Sequence, residues 1–594
     1  MCGIITVFAK KGKIDVAQCD RALNRLNLRG PDFSFREIYY NNRLYFGQTV
    51  LSITGYPYDT KSTYHKSKTG RYDILLNGEI YNFEKLYETY LEKQQYFCHS
   101  NTDTETLLNL HEVISAEEIF DNLRGMFAYI IYDNKENRLI IGRDLIGEKI
   151  LYKYEDETIL ILSSEIGPIM ELIFSLELNI DVLREYFFTR HLLTPIDTVF
   201  HGITLIQPGN LLEYDLTQQS FSTLKINRLA DLIDPVAIEK NRTRSIDDLL
   251  EELESVFRSN ARILAPEQVD YTCVMSGGID SSLSSYYMNL VKKPSNLLAL
   301  EFLEKDKISE NLFPFSNHFG RPISKIRVDA ELFLKSFDES YSAVCTPFPT
   351  HSFISQAIVS KNVRKEGSKV WVGGHGGDEL FGGYSFYKSL NGNNSFPFTN
   401  PSIYSGHFPL GLKFEGWNDE ILKERIKSRW KEYSHYFEFE DKLQERMIQT
   451  VLYSDIVIQL ESVGIREADT MSMLHSVEPR CFYLTWDVMK FALNLPARFK
   501  LDLSSSDPKM ITRPLMKKLF ISKFGQELLY PKQGFSGFPN EAGRKLVKGE
   551  YTLTEQILGL IHVPDETGLK QQAIEWKMIN MELFLRHCQK KGYI

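Results

Sequence analysis

Residues 269–282 read Val269-Asp270-Tyr271-Thr272-Cys273-Val274-Met275-Ser276-Gly277-Gly278-Ile279-Asp280-Ser281-Ser282. A short apolar, β-prone run at 269–275 passes directly into a loop with two glycines, and residues 281–291 follow with the pattern of a helix. Adjacent glycines let a backbone approach a ligand with no Cβ in the way. Backbone N–H groups and hydroxyls then gather at a helix N-terminus, where an anion is favoured. Asp280 would repel phosphate, but it can hold a Mg2+ ion that neutralises pyrophosphate. The loop lacks the lysine of the GxxxxGK[ST] phosphate-binding pattern.

Working outward, strand and helix keep alternating. Residues 296–303 read as a second strand and 369–373 as a third, which runs into Gly374-His375-Gly376-Gly377-Asp378-Glu379-Leu380-Phe381-Gly382-Gly383-Tyr384. Such an order argues for a parallel sheet with helical crossovers. Asp280 and Asp378, each following a strand, would meet at the carboxyl edge of that sheet, where α/β folds bind ligands. Upstream, Ser245 and Asp248 form a capping box that opens a helix, with Leu249, Leu250, Leu253, Val256 and Phe257 at helical spacing. From about residue 440 the pattern is mostly helical.

The first part of the chain has a different texture. Short β-prone runs at 3–9, 72–77, 126–133, 138–143 and 159–163 are broken by turns, with one helix at 104–113. Residues 216–244 are polar and weakly patterned, which predicts a linker. The domain reading is therefore 1–215, a linker at 216–244, and 245–594.

Composition removes several classes of function. Lys and Arg total 69 against 78 Asp and Glu, a net charge of −9 over 594 residues. That balance gives no electrostatic reason to expect nucleic acid or an anionic membrane as partner. No apolar run approaches the roughly 18–20 residues that span a bilayer, and the start, Met1-Cys2-Gly3-Ile4, has no signal-peptide pattern. Seven cysteines lie far apart without a CxxC pair, so neither a disulfide framework nor a zinc site is expected. The location expected is cytoplasmic. Removal of Met1 would leave Cys2 with a free α-amine, of pKa about 8, able to act as base to its own thiol.

SGGIDSS together with GGDELFGGY resembles the ATP-pyrophosphatase (PP-loop) synthetase domain of the asparagine synthetase family. Met471-Ser472-Met473, Glu478, Arg480, Phe491-Ala492-Leu493-Asn494-Leu495-Pro496 and Lys532-Gln533-Gly534-Phe535 fit the same pattern. The first part resembles a class II glutamine amidotransferase domain, an N-terminal-nucleophile hydrolase with a four-layer αββα fold. Arg29-Gly30-Pro31-Asp32, Asn77-Gly78-Glu79-Ile80-Tyr81-Asn82, Thr102-Asp103-Thr104-Glu105, Gly125-Met126-Phe127-Ala128, Arg143-Asp144 and Ser164-Glu165-Ile166 carry that likeness.

The two resemblances imply a mixed α/β and α+β chain, with ATP and Mg2+ as cofactors and glutamine and a carboxylate as substrates. A carboxylate, most simply aspartate, would be adenylated with release of pyrophosphate and then amidated by ammonia from glutamine. Cys2 would be the nucleophile, Asn77 and the Gly78 N–H the oxyanion hole, and Asp103 would hold the glutamine α-amine. ATP would lie against Val274, Ser276, Gly277, Gly278, Asp280, Ser281, Leu300, Gly373 and Gly374, with Mg2+ on Asp280 and Asp378. Lys509 would steady the negative charge of pyrophosphate and adenylate. A homodimer stays open.

The chain departs from the family in two places. Where the family has an arginine before a Leu-Ser-Ile triplet, to clamp the glutamine α-carboxylate, Val50 precedes Leu51-Ser52-Ile53. Either Arg43, Gln48 or another residue substitutes, or glutamine binds weakly, or the amide donor differs. His375 stands where the family has an acidic residue thought to assist ammonia attack. Imidazole can accept a proton near neutrality, and its different charge suits a different acceptor. Amide formation on a specialised biosynthetic carboxylate, or a cyclising synthetase that does not use glutamine, are the alternatives.

Overall fold

β1 (Cys2–Ala9) is buried along both faces, which explains its nearly unbroken apolar run. It lies inside a six-stranded antiparallel sheet, between β3 and β8. In chain order the strands of this half are β2 (Phe33–Tyr39), β3 (Leu44–Val50), β4 (Tyr72–Ile80), β5 (Gly125–Asp133), β6 (Arg138–Arg143), β7 (Tyr152–Glu155), β8 (Ile159–Ser163), β9 (Ile203–Leu205), β10 (Asn210–Asp215) and β11 (Ser220–Ile226). They form one sheet in the order β2-β3-β1-β8-β7-β9 and a second in the order β11-β10-β6-β5-β4. The computed structural model describes residues 2–593 except 55–64, 97, 99, 101, 189–195, 304–307, 344–345, 349, 392–411, 418–419, 531–539 and 564–567. The Lys532-Gln533-Gly534-Phe535 motif lies outside the described residues.

Alternation along the strands builds four layers. Ile4 and Phe8 of β1 face Leu75 of β4 and Ile130 of β5 in the core between the sheets. Ile5 and Val7 point the other way, into Cys19, Ala22 and Leu23 of helix Val16–Asn24. On the far side, Ile74 and Leu76 of β4 meet Leu107 and Leu108 of helix Asp103–Leu110. The αββα reading is what the packing shows.

Residues 216–244, the expected linker, carry regular structure. β11 pairs antiparallel with β10 from Asn210↔Ile226 to Asp215↔Ser220, and residues Pro235–Thr243 form a helix capped by the Asp234 side chain. β11 is an edge strand with a largely exposed surface, so its Ser-Phe-Ser-Thr-Leu-Lys sequence lacks the apolar density that marks a strand. Edge strands carry polar residues of this kind.

The second half holds β12 (Tyr271–Val274), β13 (Asn296–Phe302), β14 (Ser324–Val328), β15 (Val370–Gly373), β16 (Lys413–Phe414), β17 (Glu478–Cys481) and β18 (Leu560–His562). Five of them make a parallel sheet in the order β14-β13-β12-β15-β17. The chain moves outward from β12 to β14 and then returns to the other side of β12 as β15. The strand order therefore reverses between β12 and β15, and the loops after these two strands open beside each other. That is the switch point where open α/β sheets place ligands. β17 sits within the region read as helical. Its Glu-Pro-Arg-Cys sequence hides it, because its two charged residues, Glu478 and Arg480, are buried through ion pairing. No helix among the described residues is long and apolar enough to cross a membrane.

Candidate functional site

Cys2 opens β1 directly opposite Val50 of β3. Its N–H donates to Asn77 Oδ1 at 3.2 Å, and its carbonyl accepts from Arg29 Nε at 3.2 Å. Burial pushes the thiol up from its ordinary value. Asn77 is wholly buried on β4, and its Nδ2 finds no acceptor among the described residues. A buried amide donor left unpaired costs free energy unless something else pairs with it, so this N–H is set to receive a ligand oxygen. Gly78 follows with φ +131°, and a Cβ there would lie 1.9 Å from the Met126 carbonyl oxygen. Only glycine lets β4 pass so close to β5 here.

Asp103 begins its helix against the end of β4. Ile80 N–H donates to its Oδ2 at 3.0 Å, and Thr104 N–H to its Oδ1 at 2.7 Å. Burial pushes this carboxyl up. The structure thus brings together Cys2, Asn77, Gly78 and Asp103. It turns one named substitute for the missing arginine, Arg43, away from Cys2 and leaves the other, Gln48, in reach of the Cys2 thiol. Arg43 spends its guanidinium on the carbonyls of Ala9 and Lys10, at 2.9 and 2.6 Å, at the opposite end of the β1–β3 pair from Cys2. The Gln48 side-chain amide is closed on the Leu76 backbone, donating at 3.0 Å and accepting at 3.3 Å.

At the switch point, Ser276, Gly277 and Gly278 wrap the start of helix Ile279–Val291. Ser276 N–H donates to Ser281 Oγ at 3.0 Å, and Gly277 takes φ +74°. A Cβ at Gly374 would lie 2.9 Å from Ser281 N, and one at Gly377 would lie 2.5 Å from Asp280 Oδ1. The two loops therefore touch through their glycines, and their carboxylates converge. Arg513 Nη1 lies 2.5 Å from Asp280 Oδ2 and 2.9 Å from Asp378 Oδ1.

Two carboxylates aimed at one cationic nitrogen are a donor set that a hard divalent ion fits, with nucleotide phosphates completing the shell. No third His, Cys, Asp or Glu joins them among the described residues. Val274 and Leu300 are buried in the sheet beneath these loops.

Lys509 and Arg513 are placed differently. Lys509 lies exposed on a loop, its N–H donating to Asp507 Oδ1. Arg513, four residues on, is buried in the left-handed conformation at the start of helix Pro514–Phe524 and reaches both aspartates. Only its position in the matched Lys509–Arg513 stretch could have marked it. Tyr483 donates its O–H to the Asp280 carbonyl at 3.0 Å, a contact with the loop that the sequence does not reveal.

His375 follows β15, its ring 5.3 Å from that of Trp371. Its Nδ1 is buried without a partner among the described residues. Burial lowers its pKa to about 4, so the imidazole is neutral at physiological pH. It is a neutral hydrogen-bonding group here rather than a standing base.

One buried polar layer separates the two centres. Glu79, next to Gly78, takes Arg480 Nη2 at 2.5 Å, and Arg480 Nε binds Glu478 at 2.7 Å. Burial pushes the Glu79 carboxyl up to about 7. Arg480 neighbours Cys481, which pairs with Gly373 at the end of β15. Beside this layer a cavity of about 410 Å³ opens between the halves, lined by Tyr81, Arg124, Glu148, Leu484 and Trp486 among others.

A glutamine amidotransferase domain model matches residues 1–224, and an asparagine synthase model matches residues 252–575. The chain is 25% identical over 540 residues to glutamine-hydrolyzing asparagine synthetase 1 of Bacillus subtilis, covering 84% of this chain and 82% of that one. With asparagine synthetase 3 of the same organism it shares 25% identity over 577 residues, 92% of this chain and 88% of that one. With amidase chry2 of Gibberella zeae it shares 22% over 607 residues, 87% and 86% of the two chains.

Proposed function

The chain belongs to the asparagine synthase family and carries a glutamine amidotransferase domain ahead of that region, and from this premise we propose that it is a glutamine-dependent, ATP-consuming amide ligase. Cys2 attacks the side-chain amide of glutamine, whose α-amine is held by Asp103. Asn77 Nδ2 and the Gly78 N–H stabilise the oxyanion of the tetrahedral intermediate, as preorganised donors in a dry site do. Ammonia then crosses the Glu79–Arg480 layer to the carboxyl edge of the parallel sheet. Mg-ATP bound there supplies the adenylate that activates the acceptor carboxylate. Asp280 and Asp378, the carboxylates that Arg513 pairs with, would hold a divalent ion, which would neutralise charge on the nucleotide phosphates. Lys509 lies on the same segment as Arg513, where it can close on pyrophosphate, and His375 offers its unpartnered Nδ1 to the acceptor.

The observation that carries this reading is the buried, unpaired Asn77 Nδ2 beside Cys2, because a structural asparagine would be paired. The acceptor we favour is aspartate, giving asparagine, AMP and pyrophosphate. The free state of every cysteine among the described residues fits a cytoplasmic location. The alternative, an intramolecular amide-forming synthetase without glutamine, draws on one fact: Val50 replaces a carboxylate clamp, and Arg43 is engaged at the far end of the same strand pair.

The deciding experiment supplies amide-¹⁵N glutamine, Mg-ATP and aspartate, and scans the products by mass. Labelled asparagine, lost in Cys2→Ala, is the expected result. Labelled ammonia without asparagine would keep the glutaminase and refute aspartate. Glutamine-fed turnover unaffected by Cys2→Ala would refute the amidotransferase reading.

A further inference from the structure

Cys2 sits at the start of a strand, where a residue has fewer backbone constraints than one inside it. Two side chains hold it. Asn77 takes its N–H, and Arg29 binds its carbonyl, so its Cα is fixed from both sides and the direction of Cα–Cβ is fixed with it. Arg29 is 1% exposed, and its guanidinium is spent three ways. Nε donates to Cys2 O at 3.2 Å, Nη1 to Glu165 Oε1 at 3.3 Å, and Nη2 meets Asp469 Oδ2 at 2.9 Å. The guanidinium is planar and rigid, so anchoring one nitrogen sets where the others point. Asp469, also 1% exposed, belongs to the synthetase half, on helix Arg466–Met473.

That helix also touches the other centre. Trp371 Nε1 donates to Ser472 Oγ at 2.8 Å, and the Trp371 ring lies beside His375. One short helix thus contacts the backbone clamp of the nucleophile at Asp469 and the strand leading to the acceptor loop at Ser472.

We propose that Asp469 is a positioning residue for Cys2, acting through Arg29, so that the glutaminase is correctly set only while this helix of the synthetase half is in place. The inference rests on the reading of Cys2 as the glutamine-attacking nucleophile. A contact of this kind can also be plain interdomain cement. The two roles separate because amide formation driven by added ammonium uses the second centre without Cys2.

The test measures, in the full-length chain, glutamate release from glutamine and Mg-ATP-dependent amide formation from ammonium chloride. Asp469→Asn is expected to lower kcat for glutamate release about 10- to 100-fold, the range a misplaced reacting group produces. KM for glutamine should move less than threefold and ammonium-driven turnover less than twofold. Asp469→Glu keeps the charge that Arg29 and Lys149 pair with, and so guards against misfolding. It is expected to show the same selective loss, of at least fivefold. Equal loss of both activities, or glutaminase within twofold of the parent, overturns the proposal. A parent chain that releases no glutamate through Cys2 overturns this proposal and the earlier reading together, whereas a Cys2-dependent parent with an unaffected Asp469→Asn variant overturns this one alone.

Discussion

Replacing Asn77 tests the amidotransferase chemistry at the atom that carries it. In Asn77→Ala the chain loses the unpaired Nδ2 donor and the Oδ1 that holds Cys2 N–H at 3.2 Å. One oxyanion donor is worth roughly 2.7–4 kcal/mol, about 10²- to 10³-fold in kcat. The Gly78 N–H remains, so residual turnover should survive. Asn77→Asp separates the two losses, since its carboxylate still accepts from Cys2 but no longer donates. Burial raises both neighbouring carboxyls, Asp103 and Glu79, the latter to about 7, and a carboxyl at 77 meets the same wholly buried surroundings. Protonated, it donates again; ionised, it repels the oxyanion. Relative to the parent, Asn77→Asp should therefore lose more activity at pH 9 than at pH 6. The assay is glutamate release across that range, with ammonium-driven amide formation as the control that stays unchanged. More than a tenth of parental glutaminase in Asn77→Ala would refute the oxyanion assignment.

Gly78→Ala forces a Cβ to within 1.9 Å of the Met126 oxygen at φ +131°; it should abolish glutaminase and destabilise the fold by about 3 kcal/mol in denaturant melts. Arg513→Met removes the guanidinium that Asp280 and Asp378 share, which should cost about 3 kcal/mol and make Mg2+ raise the melting temperature more than in the parent. Asp455, which accepts from Tyr387 O–H at 2.5 Å, is raised by burial from 3.8 to about 8. Because the folded state binds the extra proton, that contribution is full below pH about 4 and fades as pH rises through about 8. Asp455→Asn, neutral at every pH, should therefore melt higher than the parent at pH 8, by a margin that shrinks as pH falls and vanishes below pH about 4.

What the sequence made legible follows from where each element sits. β1, β5, β6 and β8 are apolar because their surroundings are apolar on one face or both, and period and composition find such strands. β11 is a polar edge and β17 a charged strand buried by pairing, so neither carries an apolar signal. The same division runs through the candidate site. Glycine loops announce themselves because backbone approach leaves no alternative residue, as at Gly374 and Gly377. Arg513 does not, since an arginine in a loop reads as solvated until the fold folds it back onto two aspartates.

The wall between the centres argues against a merely adhesive interface. Arg29–Asp469, Arg143–Glu461 and Arg480–Glu79 are buried ion pairs that cross from one half to the other. Well-packed apolar side chains of similar volume would hold two halves together as strongly or more so, because buried ions pay for desolvation. What ion pairs add is direction: each closes only when its partner stands within about 3 Å at the right angle. Arg29 and Arg480 lie on either side of the Cys2–Gly78 centre in the chain of contacts, one on the Cys2 carbonyl and one on the residue after Gly78. A slip of the synthetase half by one hydrogen-bond length would therefore disturb both Cys2 and Gly78, the proposed nucleophile and oxyanion donor. The interface gives up stability for alignment, as the proposed transfer of ammonia between the centres would require.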